Sequence, residues 1–274
     1  MKQMYATEGQ EAQQAVITIA TVTYNAVGTL RRTLQSVAQQ TYPYIEHLIV
    51  DGRSTDHTLS IIQDYVNNNT SVSTPHNIRL MCEPDRGLYD AMNKALALAK
   101  GDYIIFLNAG DTLPHPETIS QLVSTTDIHH NDLLNPGILY GQTELVDNNG
   151  NFLRHRRLQA PERLGWTDFR WGMLVCHQAF YVRTDIAKTI SYDLNYRFSA
   201  DFDWCIRIMK YIQRRRLEIV NSHQVLCNYL SEGMTTANRR SSLIERFHIM
   251  KRHFGTLSTV SCHIWFVIRA IYHR

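Results

Sequence analysis

IEHLIVDGRSTDHT, residues 45–58, decides the fold of this 274-residue chain. An apolar run ends at Asp51, a polar turn follows, and a helical pattern opens near Asp56. An apolar run of that length, closed by turn residues, reads as a strand buried on both faces. The same unit recurs on either side. VITIATVT (16–23) leads to a helix near Thr29, IRLMCE (78–83) to one near Gly87, and YIIFLN (103–108) to one near Pro116. Alternation of this kind predicts an α/β fold with a mixed, mostly parallel sheet flanked by helices. Ligands of such sheets lie beyond the carboxyl ends of the strands.

Those ends are polar throughout: Thr23-Tyr24-Asn25, Asp51 to Asp56, Glu83-Pro84-Asp85-Arg86-Gly87 and Asn108-Ala109-Gly110-Asp111. Capping accounts for some of them, since Ser54, Thr55 or Asp56 suits one helix start and Asn25 or Thr29 another. Four successive strands carrying such groups to one edge is more than capping needs. The Walker pattern G-x-x-x-x-G-K-[ST] is absent, and Tyr24-Asn25-Ala26-Val27-Gly28 replaces the dinucleotide turn G-x-G-x-x-G. The acids suit donors on a base or ribose and a hard divalent cation that binds a diphosphate.

The second half changes character. LYGQTELVDNNGNFLRHR (139–156) alternates around Asn149-Gly150, predicting a two-residue hairpin. HQAFYVR (177–183) reads as a strand, and SADFDWCIRIMK (199–210) as a helix capped by Ser199. Apolar residues make up 44% of the chain, enough to bury a core and exclude wholesale disorder. The five cysteines form no C-x-x-C pair, which suits a reducing compartment. The first residues lack a signal-peptide apolar core, and no run approaches the roughly 18 apolar residues of a membrane span, so a cytoplasmic location is expected.

TVTYN (21–25), IVDGRSTDHT (49–58), EPDRGLYDAMNKALALAKGDYIIFLNAGD (83–111) and SADFDW (199–204) resemble the motifs of family 2 glycosyltransferases of the GT-A, Rossmann-like fold. The subgroup most similar extends bacterial surface polysaccharides, colanic acid among them. The resemblance covers about residues 16–235. It implies a flexible N-terminus at 1–15, a GT-A domain at 16–235 and a helical tail at 236–274. It also implies inverting transfer of a sugar from a UDP- or GDP-sugar to a hydroxyl of a glycan or lipid-linked acceptor.

Carried over residue by residue, the resemblance puts the nucleotide on Thr23, Tyr24, Asn25, Asp51, Asp85, Arg86 and Asn108. The acidic metal motif falls on Asn108 to Asp111, where Asn108 and Gly110 replace carboxylates and leave Asp111 to hold Mg2+ or Mn2+. The catalytic base aligns with Asp201, in a motif where Ala200 replaces the usual Glu, with Asp203 as alternative. Either acid also suits the helix dipole as a first-turn complement. His177 and Gln178 are expected at the acceptor or diphosphate, and Asp90 and Asn93, on one helix face, behind the substrate contacts. A lid at 231–235 with Arg239 and Arg240 would close over the diphosphate. A sugar nucleotidyltransferase and a non-catalytic glycan- or lipid-binding subunit remain as alternatives; the first would need a glycine-rich basic loop that TYNAVGTL does not provide.

From Asn238 onward there are seven Lys or Arg against one acid, Glu245, a balance of +6 in a chain whose net charge is +3. SSLIERFHIMKRHF (241–254) predicts an amphipathic basic helix. STVSCHIWFVIRAIYHR (258–274) mixes aromatic and aliphatic residues with cations, which suits the inner face of a membrane, a dimer mate or the enzyme's own surface. Nothing resembles a nucleic-acid reader, so no nucleic-acid partner is expected.

Overall fold

A computed structural model describes residues 13–71, 73–231 and 238–272. Its first half is the predicted alternation: β1 (Ile17–Thr23), α1 (Leu30–Ala38), β2 (Ile45–Asp51), α2 (Thr58–Asn68), β3 (Asn77–Cys82), α3 (Leu88–Leu98), β4 (Tyr103–Phe106) and α4 (Thr118–Thr126). The four strands are parallel, and β1, β2 and β4 are buried along their whole length. Their register aligns Thr23 with Asp51 and Asp51 with Cys82, so the polar strand ends form one row.

The second half adds β5 (Ile138–Val146), β6 (Phe152–His155), β7 (Phe180–Arg183), α5 (Thr184–Ala187), α6 (Ala200–Arg215), β8 (Ile219–Leu230), α7 (Arg239–Phe254) and α8 (Thr256–Tyr272). Sheet order is β3-β2-β1-β4-β7-β5-β6, with β8 also on β5. β7 runs antiparallel between β4 and β5, β6 pairs antiparallel with β5, and β8 pairs parallel with it. The sheet is therefore mixed and mostly parallel in its first half, with helices packed around it.

Three local expectations are corrected. The β5 to β6 connection is not a two-residue turn: the Asp147 carboxylate accepts from the N–H groups of Asn149 and Asn151, and Gly150 takes φ 88°. That carboxylate organises a longer loop. His177 to Ala179 form a short 3-10 turn ahead of β7 rather than its first residues. Ser199 precedes α6 without capping it, because its hydroxyl pairs with that of Ser242 at 2.9 Å.

Helix α6 is fixed by Trp204, which is 1% exposed and stacks on Tyr192 with ring centres 4.9 Å apart. Phe106 and Phe180 meet its ring edge-on, and its indole N–H donates to the Ile190 carbonyl. Residues 201, 204, 205 and 208 share one helical face. Seating Trp204 on the sheet therefore turns Asp201 inward as well.

Candidate active site

Asp201 opens α6 with both oxygens engaged. The Tyr89 hydroxyl donates to one at 3.0 Å, and Nδ1 of His177 contacts the other at 3.1 Å. That contact assigns the proton to Nδ1 of His177, leaving Nε2 toward the Asn108 side-chain amide nitrogen at 3.3 Å. The neighbouring Gln178 donates its amide to Asp111 at 2.9 Å. Consecutive residues thus reach the two carboxylates expected to do the chemistry, and both acids lie at one edge of the sheet.

The surroundings push these acids apart. Asp111 is 4% exposed, and among the described residues its carboxylate accepts from the Gln178 amide and the backbone N–H of Leu230. Burial pushes its carboxyl up to about 6, against those two hydrogen bonds. Burial would also raise Asp201, but the His177 imidazole, the Arg246 charge and the Tyr89 hydroxyl outweigh it and hold the carboxyl below its ordinary value. Burial and the adjacent Asp201 keep the Tyr89 phenol protonated, as a donor must be.

At the strand ends, two buried acceptors have no partner: Thr23 Oγ1 and Asn108 Oδ1. A buried polar atom left unpaired costs free energy, so these atoms mark where ligand hydroxyls or amines would be welcome. Tyr24 stands beside them, 59% exposed. Asp85 lies over Gly52, where a β-carbon would meet its carboxylate at 2.3 Å. Glycine at 52 is what lets that acid close over β2.

The other expected residues also make contacts within the frame. Asp51 is fully buried and accepts from the Ser54 N–H and hydroxyl. Asn25, at φ 48°, accepts from the Thr55 N–H and joins the β1 and β2 loops. Arg86 is exposed and ion-paired with Asp90 at 2.8 Å, while Asn93 clamps the backbone of Tyr192 through both amide atoms. Asp203 faces away from the cluster, bound to Arg207 at 2.6 Å and His253 at 2.7 Å. Residues 232–235 of the expected lid lie outside the described residues, as does the Arg239 side chain. Tyr89 and Arg246 are the partners that motif reading missed. Tyr89 sits inside the quoted YDAMNK stretch, but only the packing of α3 against α6 gives it a role.

Asp111 is the one carboxylate of the expected cation motif, and among the described residues no three His, Cys, Asp or Glu converge. Each of its oxygens accepts one hydrogen bond, from Gln178 or from Leu230, and keeps a further lone pair. The next candidate position is Gly110, where a β-carbon would meet Leu230 at 2.8 Å.

The profile of the family described as Glycosyl transferase family 2 matches residues 18–189. A "PGL/p-HBAD biosynthesis glycosyltransferase" of Mycobacterium bovis (strain BCG / Pasteur 1173P2) is 30% identical over 197 residues, 68% of this chain and 66% of the relative. Among solved structures, S. aureus TarS 1–349 in complex with UDP-GlcNAc aligns at TM-score 0.62 and 18% identity, covering 86% of this chain and 64% of that one. The mannosyltransferase PcManGT from Pyrobaculum calidifontis, in complex with GDP-Man and Mn2+, aligns at 0.60 and 17%, covering 87% and 65%. The chain therefore spans just under two thirds of the length of these relatives.

Proposed function

Since this chain belongs to glycosyl transferase family 2, we propose that it transfers a sugar from a UDP- or GDP-sugar to a hydroxyl of a glycan or lipid-linked acceptor in surface polysaccharide synthesis. Asp201 carries the reading: a carboxylate only 13% exposed, held below its ordinary value by His177, Arg246 and Tyr89, and linked through His177 to Asn108 at the edge where Thr23 and Asn108 offer unpaired acceptors. TarS with UDP-GlcNAc and PcManGT with GDP-Man support the donor class.

In this reading the nucleoside lies over the ends of β1 and β4, between Tyr24 and Asp85, and its ribose hydroxyls donate to Thr23 and Asn108. The acceptor oxygen attacks the anomeric carbon as the bond to the diphosphate breaks, and the electron pair leaves on the phosphate oxygen. The hydroxyl proton passes to Asp201, and a single displacement inverts the anomeric carbon. A base held this acidic takes the proton late, once bonding to carbon has made the hydroxyl more acidic. His177 and Tyr89 fix the carboxylate during the transfer.

Asp201→Asn tests the assignment. Calorimetry with UDP- and GDP-sugars should give donor affinity within about twofold of the parent, while turnover falls by at least ~10². Undiminished turnover would remove Asp201 from the chemistry.

The acceptor also bears on the tail. Helix α8 turns an apolar face outward, with Leu257, Ile264 and Val267 each more than half exposed. We assign that face to the surface of an anionic membrane, where a lipid-linked acceptor would be met.

A further inference from the structure

Helix α7, beyond the residues the family profile matches, is built into the helix that carries Asp201. Ser242 bonds Ser199, the Glu245 carboxylate accepts from the N–H groups of Arg197 and Phe198 at 2.8 Å each, and His253 reaches Asp203. One turn after Ser242, the Arg246 guanidinium lies 5.7 Å from the ring centre of Phe202, the residue next to Asp201. Its Nε is buried and has no hydrogen-bond partner among the described residues.

We infer that Arg246 is a positioning residue of the transfer centre: a fixed positive charge, delivered by the C-terminal helix onto the Phe202 face of α6, that holds the Asp201 carboxylate ready for the acceptor's proton. The inference rests on Asp201 being the base. Asp201 is faced by His177 and Cys176 from the turn before β7, Tyr89 from α3, Tyr192 from the loop before α6, Cys205 from α6 itself and Arg246 from α7. Among these described groups, Arg246 alone is charged at every working pH.

Arg246 acts on Asp201 and Tyr89 together.

The test compares turnover against pH for the full-length parent, Arg246→Gln, Arg246→Lys and Asp201→Asn. Removing the charge should move the acidic limb of kcat up by about one pH unit, so that turnover below the new limb falls about tenfold. Donor affinity by calorimetry should be unchanged. Arg246→Lys should restore most of the shift. A limb for Arg246→Gln that superimposes on the parent's overturns the inference, while full turnover in Asp201→Asn overturns the assignment of the base instead. If Arg246→Gln does not fold, Arg246→Ala with added guanidinium decides: the added cation should draw the limb back toward the parent, and an unmoved limb overturns the inference.

Discussion

Asp111 and Asp51 look alike in the sequence, each an acid beside the end of a buried strand, and neither meets solvent. What closes them lies far away in the chain: Leu230 and Gln178 for Asp111, with Ser54 nearby for Asp51. Motif reading located the row of polar strand ends but had no access to such distant partners, so it could not separate Thr23 Oγ1 and Asn108 Oδ1, which have no partner among the described residues, from acids already in use. Asp111 yields a prediction of its own. Its folded-state value of about 6 lies above the ordinary 3.8 of an aspartate, so the native state keeps its proton longer than the unfolded chain does. Stability is therefore lost as pH rises through that window, by roughly 3 kcal/mol if the whole shift is realised. Asp111→Asn, whose amide the Gln178 side chain can accept by rotating, should be free of that loss. Urea unfolding should show the variant gaining on the parent between about pH 4 and pH 7, with turnover retained. Parallel stability profiles would reject this account, and loss of turnover in a folded variant would return Asp111 to the metal role implied by the motif.

At the level of elements, periodicity located the first four strands and the helices after them to within a residue or two, because β1, β2 and β4 are buried along their whole length, while β3, partly exposed at the sheet edge, follows from its place in the alternation. Sheet order in the second half was not readable. β7 reaches its place between β4 and β5 through pairings across more than 40 residues, which a local pattern does not encode. Nor was the union of α6 with α7 readable, since the acids and bases that join them look like ordinary surface charges. Asp203 is the centre of that joint, fully buried between Arg207 and His253. Asp203→Ala leaves two basic groups without their partner and should cost about 3 kcal/mol, read as a lowered urea midpoint. Against its burial, the His253 hydrogen bond and the Arg207 charge hold the Asp203 carboxyl below its ordinary value. Its stabilisation is thus present above the unfolded value and fades as pH falls through the folded one. The gap between parent and variant should narrow on acidification, and a gap that widens would show that the joint is not electrostatic. An Asp203→Ala protein that keeps its turnover once folded would also confirm that this acid is not the base.

At the scale of the whole molecule, charge and apolar exposure are concentrated at the same end. The balance of +6 from Asn238 onward, most of it carried by α7, adjoins the helix whose outward residues are Leu257, Ile264, Trp265 and Val267. Positions 257, 260, 264, 267 and 268 recur at helical spacing, so their exposure forms a stripe rather than scattered contacts. Phe247 of α7 joins Val260, His263, Ile264, Val267 and Ile268 around an apolar groove of about 340 Å3. No helix among the described residues is long and apolar enough to cross a membrane. A face of this kind lies in the interface, driven by buried apolar area and drawn to anionic headgroups by its cations. The full chain should therefore sediment with vesicles of anionic phospholipid and much less with zwitterionic ones, and added salt should weaken the association. A double substitution, Ile264→Glu with Val267→Glu, should abolish sedimentation while leaving turnover on a water-soluble acceptor unchanged, because neither residue approaches Asp201 through any contact in the fold. Two results would sink the assignment: equal binding to both vesicle types, which leaves the basic charge without a role, or a parent that forms dimers in solution which the double variant dissolves, which gives the stripe to a second copy of the chain.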